Sequence, residues 1–224
     1  MAEDRSLINC VPEAVGAIVE TVAILYGYEK AGPLGGFAVG AVAKYVMGRI
    51  DAGKEILISC LQQAGMSLAD FHDAEQFTAG AVRYVRAARD QAADDNLRLL
   101  AGAMVGLARR QQLWASDFIR FANAIAPLTP DELLIIGTLM TADSDWGSLP
   151  EATRPISPWA IACNRLIPAQ FPSYEHAQSA GAMAQRSGLI LPLNTYGVTI
   201  YGLGPSGRQL RAILEAGAIP GVSA

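Results

Sequence analysis

The sequence predicts a mainly α-helical protein with one small β-hairpin close to its C-terminus, and three observations carry that prediction. Residues 1–128 place apolar side chains at helical spacing, with no run that alternates as a strand does. Thr129-Pro130-Asp131-Glu132 joins an N-cap Thr, a Pro at the first helical position and a Glu at the third, which is a complete helix start. From Ser173 to Leu214 come a helix, two short apolar runs around a Gly-bearing turn, and a final helix. Helix, hairpin, helix is the second half of a winged helix-turn-helix. The chain is therefore expected to divide into an Ala/Gly-rich helical bundle over residues 1–128 and a winged-helix-like domain over 129–224.

Composition limits what such a chain can do. At 224 residues it can bury a substantial core. Hydrophobic residues make up 51% without its 22 Gly, and charged residues only 17%. Soluble domains usually hold about 45–50% apolar residues with Gly included, and about 25% charged. That surplus of apolar surface predicts self-association or a protein partner. The net charge is −4, and 12 basic residues face 18 acidic ones in residues 1–150. Residues 151–224 carry 5 basic and 3 acidic side chains, so the C-terminal domain is only faintly basic. This balance argues against a general nucleic-acid binder. Cys10, Cys60 and Cys163 show no paired spacing, which fits buried thiols in the reduced cytoplasm. Met1-Ala-Glu-Asp-Arg5 lacks a signal peptide's basic start and apolar core. No apolar segment precedes Leu7-Ile8-Asn9-Cys10, so lipidation is not expected either.

Taken in order, Pro12 opens a helix to Lys30, stopped by Gly32-Pro33, and a second helix runs from Leu34 to Gln63 and ends at Gly65. Gly35, Gly36 and Gly40 lower its intrinsic helicity but allow another helix close, with Gly36 and Gly40 at GxxxG spacing. Its uncharged run, Ala31 to Ala43, is too short to span a bilayer. A close-packed helix pair is the expectation, with a membrane-perturbing hairpin over residues 12–48 as an alternative. Ser67 and Asp70 form a capping-box pattern before a helix carrying Phe71, Ala74, Phe77, Ala81, Tyr84 and Val85. Leu97 to Leu107 is the next apolar helix, with Arg109 and Arg110 opposing its dipole, and Ser116 caps a helix from Asp117 to Ala126.

Beyond Thr129, the residues Leu133, Leu134, Ile136 and Leu139 are expected to be buried. Acidic, Gly- and Pro-bearing Ala142 to Pro155 reads as a loop. Ser157-Pro158 starts a helix with Trp159, Ile161, Ala162 and Leu166 inward. Ser173 caps a helix from Tyr174 to Ser187, which Gly188 ends. Strands over Leu189–Leu191 and Val198–Leu203 flank a turn at Asn194 to Gly197, and the last helix starts at Arg208.

Gly202-Leu203-Gly204-Pro205-Ser206-Gly207 matches GxGxxG, yet only 17 residues follow it and Pro205 removes an amide that a phosphate would use. A dinucleotide is not expected. His72, in Asp70-Phe-His-Asp-Ala-Glu75, cannot build a multi-histidine metal site in a chain with two histidines. No Gly-x-Ser-x-Gly, Walker loop or paired-Cys motif occurs, so neither enzymatic activity nor a cofactor or metal is expected. The outward residues of the helix expected to serve for recognition, and of its end, are Glu175, His176, Gln178, Ser179, Gln185 and Arg186, with one basic and one acidic side chain among them. Bases are read by Arg, Lys, Asn and Gln backed by phosphate contacts, and phosphate neutralisation is poorly supplied here. This face is expected to meet protein, with DNA binding by a winged-helix regulator as the alternative.

Several segments resemble the abortive-infection alpha-like family of bacteria. They are Asp95-Asn-Leu-Arg-Leu-Leu-Ala-Gly-Ala-Met104, Phe118 to Leu128 leading into Thr129-Pro-Asp-Glu-Leu133, and Ser187-Gly-Leu-Ile190 with the Tyr201-Gly-Leu finish. The resemblance covers about residues 50–215. It implies a role in defence against phage and carries over no catalytic residue.

Overall fold

A computed structural model describes residues 37–66, 73–90, 92–110, 115–195 and 197–217. The described chain is mainly helical with one two-stranded antiparallel sheet. Its helices are α1 (Phe37–Gln63), α2 (Ala74–Arg89), α3 (Asp94–Arg109), α4 (Ala115–Ile125), α5 (Pro130–Ser148), α6 (Pro158–Leu166), α7 (Tyr174–Ala184) and α8 (Pro205–Gly217). Strands β1 (Ile190–Thr195) and β2 (Val198–Leu203) lie between α7 and α8. Two compact units result, one of residues up to Ala126 together with Ile213 onward, the other Pro127–Ala212. The helix expected over Pro12–Lys30, the Ser67–Asp70 capping pattern and His72 lie outside the described residues, as do Gly35 and Gly36. No helix among the described residues is long and apolar enough to cross a membrane.

In the first unit, small residues set the helix spacing. A Cβ on Gly53 would stand 2.7 Å from Ala88 Cβ, so α1 and α2 touch nearly backbone to backbone. There the buried Tyr84 hydroxyl donates to Gly53 O at 3.0 Å. Leu57, Leu61, Leu97, Leu100, Met104, Phe118 and Phe121 fill the core. Buried Asn96 donates through Nδ2 to Ile125 O and Ala126 O, satisfying carbonyls that the end of α4 leaves open. Asp73 supplies the N-cap of α2, accepting from Glu75 N and Gln76 N. Ser116 is no cap: α4 begins at Ala115, whose amide is taken by Gln76 Oε1 at 2.6 Å.

The second unit opens on the capping box read from Thr129 and Glu132, with both reciprocal bonds made. Ile135, Ile136, Leu139 and Met140 are buried along α5, while Leu133 and Leu134 are only half-buried. Residues 142–148, expected as loop, continue this helix. Asp143 and Asp145 bind Arg211 and Arg165 at 2.5 Å each, and Trp146 Nε1 donates to Pro155 O, so the acidic turns are held from outside the helix. The helix stops where Leu149 precedes Pro150, a position that disfavours α geometry.

Trp159 is the centre of this unit. Its ring meets Tyr201 edge-on at 5.0 Å, and its Nε1 donates to the Tyr174 hydroxyl. Above it, α7 turns only Ala177, Ala180, Gly181 and Ala184 inward. A Cβ on Gly181 would lie 2.7 Å from Tyr201 Cδ2. A short 3₁₀ turn (Gln185–Ser187) ends α7, and Gly188 at φ +70° releases the chain into β1. The hairpin is longer and its turn tighter than the sequence predicts: Asn194 pairs with Thr199 and Thr195 with Val198, with Gly197 at φ +79° in the turn. The last helix starts at Pro205 rather than Arg208, with Pro at the first helical position.

Candidate functional site: helix α7 and the hairpin

The residues expected to form an interaction face divide into two sets. Glu175, His176, Ser179 and Gln185 are exposed. Gln178 and Arg186 are committed inside the unit. Gln178 Nε2 donates to Thr199 O at 2.9 Å, tying α7 to β2. Arg186 donates to Pro127 O and to Glu132 Oε2 at 2.8 Å, and the Glu132 side chain is 1% exposed. Arg186 thus binds the same carboxylate that closes the capping box of α5, and this couples the end of α7 to the start of α5.

Ser173 stands at the N-cap of α7 but makes no capping bond. Its hydroxyl donates to Glu175 Oε2 at 2.6 Å and lies 3.0 Å from His176 Nδ1. A hydroxyl has one proton to give. With Glu175 receiving it, the bond to His176 requires Nδ1–H to donate to Oγ. The Ser173 hydrogen bond, helped by the residue's own backbone amide and by His176, holds the Glu175 carboxyl below its usual range.

Three of the four remaining arginines of this unit are also occupied. Arg165 pairs with Asp145 and Arg211 with Asp143. Arg154 lies over the Trp146 ring at 4.7 Å and donates to Leu149 O. Arg208 is exposed at the start of α8.

The outer face of the hairpin exposes aliphatic side chains. Alternation along the strands puts Ile190, Tyr201 and Leu203 on the inner face, all buried, and Leu191, Leu193, Val198 and Ile200 on the outer face. Leu191, Leu193 and Val198 are 43%, 48% and 47% exposed, and Met183 on α7 is 49% exposed. Between Arg186 and Arg208 the sequence has no charged residue. Reading the first strand as ending at Leu191 hides this face, because the alternation of 191, 193, 198 and 200 emerges only with the longer register.

The strand edges differ from the face. Gly204 N donates to Leu189 O, and from that bond alternate pairs along the ladder are hydrogen-bonded. The Pro192–Tyr201 pair falls between them, so the position of the missing Pro192 N–H is on the open edge of β1. The Thr199 carbonyl, in another such pair, faces away from β1 and is the one that takes Gln178.

The close helix contact foreseen at Gly36 and Gly40 has a described counterpart elsewhere. Gly40 lies in the first turns of α1. In the first unit Gly102 and Gly106 of α3 receive the end of α8: a Cβ on Gly106 would run into the Ile213 carbonyl, and one on Gly217 would lie 2.9 Å from Gly102 O. The four-residue spacing of Gly102 and Gly106 is the sequence signal for it. The GxGxxG glycines serve packing as well, since a Cβ on Gly207 would run into the Leu189 carbonyl.

Burial raises the Cys60 thiol and pushes Cys163 up to about 11. Among the described residues, no group of three or more His, Cys, Asp or Glu is placed to hold a metal. Comparison of the chain with family models, with curated proteins and with solved structures returned no match.

Proposed function

We propose that the chain is a non-enzymatic bacterial protein that works in the cytoplasm through protein contacts, self-association among them. On this reading residues 129–217 are a winged helix-turn-helix used as a contact surface rather than a reader of DNA. The order of α5, α6, α7, hairpin and α8 supports the winged-helix description. One observation carries the choice of partner: the hairpin offers Leu191, Leu193 and Val198 to solvent on a face without charge, while four of the unit's five arginines are engaged internally. Duplex DNA demands the reverse, since phosphate neutralisation supplies most of the non-specific affinity. The unpaired, raised thiols of Cys60 and Cys163 suit a reducing compartment. The defence role rests on the residue-level resemblance alone. A phage challenge tests it: cells carrying the gene should show a lower plaquing efficiency than cells lacking it.

A mobility-shift assay with mixed-sequence duplex tests the choice of partner. No shift is expected at about 150 mM salt, where weak phosphate contacts are lost. A shift that survives this salt would favour the regulator, for which the exposed His176, Ser179 and Gln185 of the α7 segment are the available base-facing groups.

A further inference from the structure

We propose that Arg83 and Asn123, side by side on α2 and α4 of the first unit, form a grip for a carboxylate of a partner protein. This deepens the protein-contact reading and rests on it. Arg83 donates through Nε at 3.0 Å and through Nη2 at 2.7 Å, both to Asn123 Oδ1. A guanidinium has no acceptor, so only the oxygen of the Asn123 amide can face it, and the two N–H groups fill that oxygen's lone pairs. What the pair leaves unspent are donors alone, the Nη1 edge of Arg83 and the Nδ2 group of Asn123. The complement of such a point is an oxyanion. Arg49, Arg89, Arg98 and Arg120 of this unit each bind a carboxylate of the chain itself, whereas Arg83 makes no ion pair among the described residues. Its charge is held in position by a neutral side chain and still lacks a counter-charge.

The setting favours a protein carboxylate over a phosphate. Nucleic acids bind through many phosphates at once, and each wants a cation of its own. Here Arg120, one turn before Asn123, is engaged by Asp117 at 3.3 Å, and Arg89 by Asp90 at 2.8 Å, so acids stand on both helices and repel a run of phosphates. One guanidinium with a fixed fork matches one carboxylate. Arg83 is half-buried and Asn123 exposed, which leaves the pair open to a macromolecular surface. Ala79 and Ile119, one turn earlier on the same helix faces, are half-buried as well, and they give the grip the apolar margin that surrounds interface anchors. Because its two bonds already fix the guanidinium, closing on a carboxylate costs little further side-chain ordering.

Titration of the full chain with polyglutamate at about 150 mM salt, followed through the Nε–Hε magnetic resonances of its arginines, tests this. The Arg83 resonance should move and saturate, while those of Arg49 and Arg98, which have acids of their own, should move less. Asn123→Asp keeps an acceptor for both hydrogen bonds but supplies the missing charge, so the affinity for polyglutamate should fall about threefold to fivefold. Arg83→Lys keeps the charge and loses the fork, so it should weaken binding comparably, and it takes the place of Asn123→Asp if that variant melts early. A stationary Arg83 resonance, or an affinity unchanged in the folded variant, overturns the grip and leaves protein contact through other surfaces standing. Inorganic phosphate that moves the resonance at lower concentration than acetate does would make phosphate the ligand and overturn the proposal. Mixed-sequence duplex that saturates Arg83 at this salt would overturn the proposal and the protein-contact reading together.

Discussion

At the scale of single residues, much of the second unit's specificity rests on a buried carboxylate. Glu132 Oε2 accepts from Thr129 N at 2.7 Å and from Arg186 at 2.8 Å, while Oε1 has no partner. Arg186→Ala leaves this group buried with one neutral donor, so a loss of about 1–3 kcal/mol is expected. Thermal melts followed by circular dichroism check it, and Glu132→Gln, which keeps an acceptor for Thr129 N, should cost less. Cys163 adds a pH dependence whose sign follows from burial. The folded thiol holds its proton to about 11, whereas the unfolded one releases it near 9. The unfolded chain is thus favoured first as pH rises: the stabilisation is intact below about 9 and lost between about 9 and about 11. Stability measured across that window should fall more steeply in the wild type than in Cys163→Ala. Glu132 could be read from its place in the capping box. Its second role was hidden, because Arg186 reaches it over more than fifty residues of sequence and looks in one dimension like a surface charge.

At the scale of elements, the absence of a side chain decides how α8 ends. Gly106→Ala would drive a Cβ into the Ile213 carbonyl, and backbone cannot move aside as a side-chain tip can. Overpacking of this kind costs about 1–3 kcal/mol and sometimes more. Gly102→Ala meets only the Leu214 Cδ2 methyl at 3.4 Å, so the gain in helix propensity, about 1 kcal/mol, should offset most of its cost. Hydrogen exchange separates the two. Gly106→Ala should expose the amides of residues 213–217 while those of 208–212 stay protected, and Gly102→Ala should change neither. Gly137, inside α5 with nothing within 4 Å of its missing Cβ, gives the opposite control: Gly137→Ala should stabilise by about 0.5–1 kcal/mol. Helix starts marked by Thr129 and Ser157 were legible because caps are local chemistry. The extension of α5 through Ser148 was not, because Asp143 and Asp145 resemble loop residues until Arg211 and Arg165 arrive from distant sequence. The hairpin register was likewise only partly legible. Asn194 and Thr195 suit a turn by composition, yet the ladder runs on until Thr195 pairs with Val198.

At the scale of the whole molecule, composition foretold a surplus of apolar surface but not its position. The charge count foretold a weakly basic C-terminal region but not how its arginines are used. With a net charge of −4 and a sequence pI of about 5.2, the chain has little long-range attraction for polyanions. Pairing reduces it further, because each of Arg165, Arg186 and Arg211 has a carboxylate within 2.8 Å. If that pairing silences the basic surface, removing the acids should restore it. Asp143→Asn with Asp145→Asn removes the carboxylate charges beside Arg211 and Arg165 and changes net charge by two, without touching the hairpin. The wild type should leave a heparin column near about 150 mM salt or in the flow-through, and the double variant should elute later. On duplex DNA the logarithmic salt slope should steepen by no more than about 0.9 for each arginine that now reaches a phosphate. An unchanged elution position would mean that these arginines were never held out of reach by their partners, and the argument that intramolecular pairing turns this module away from nucleic acid would fail with it.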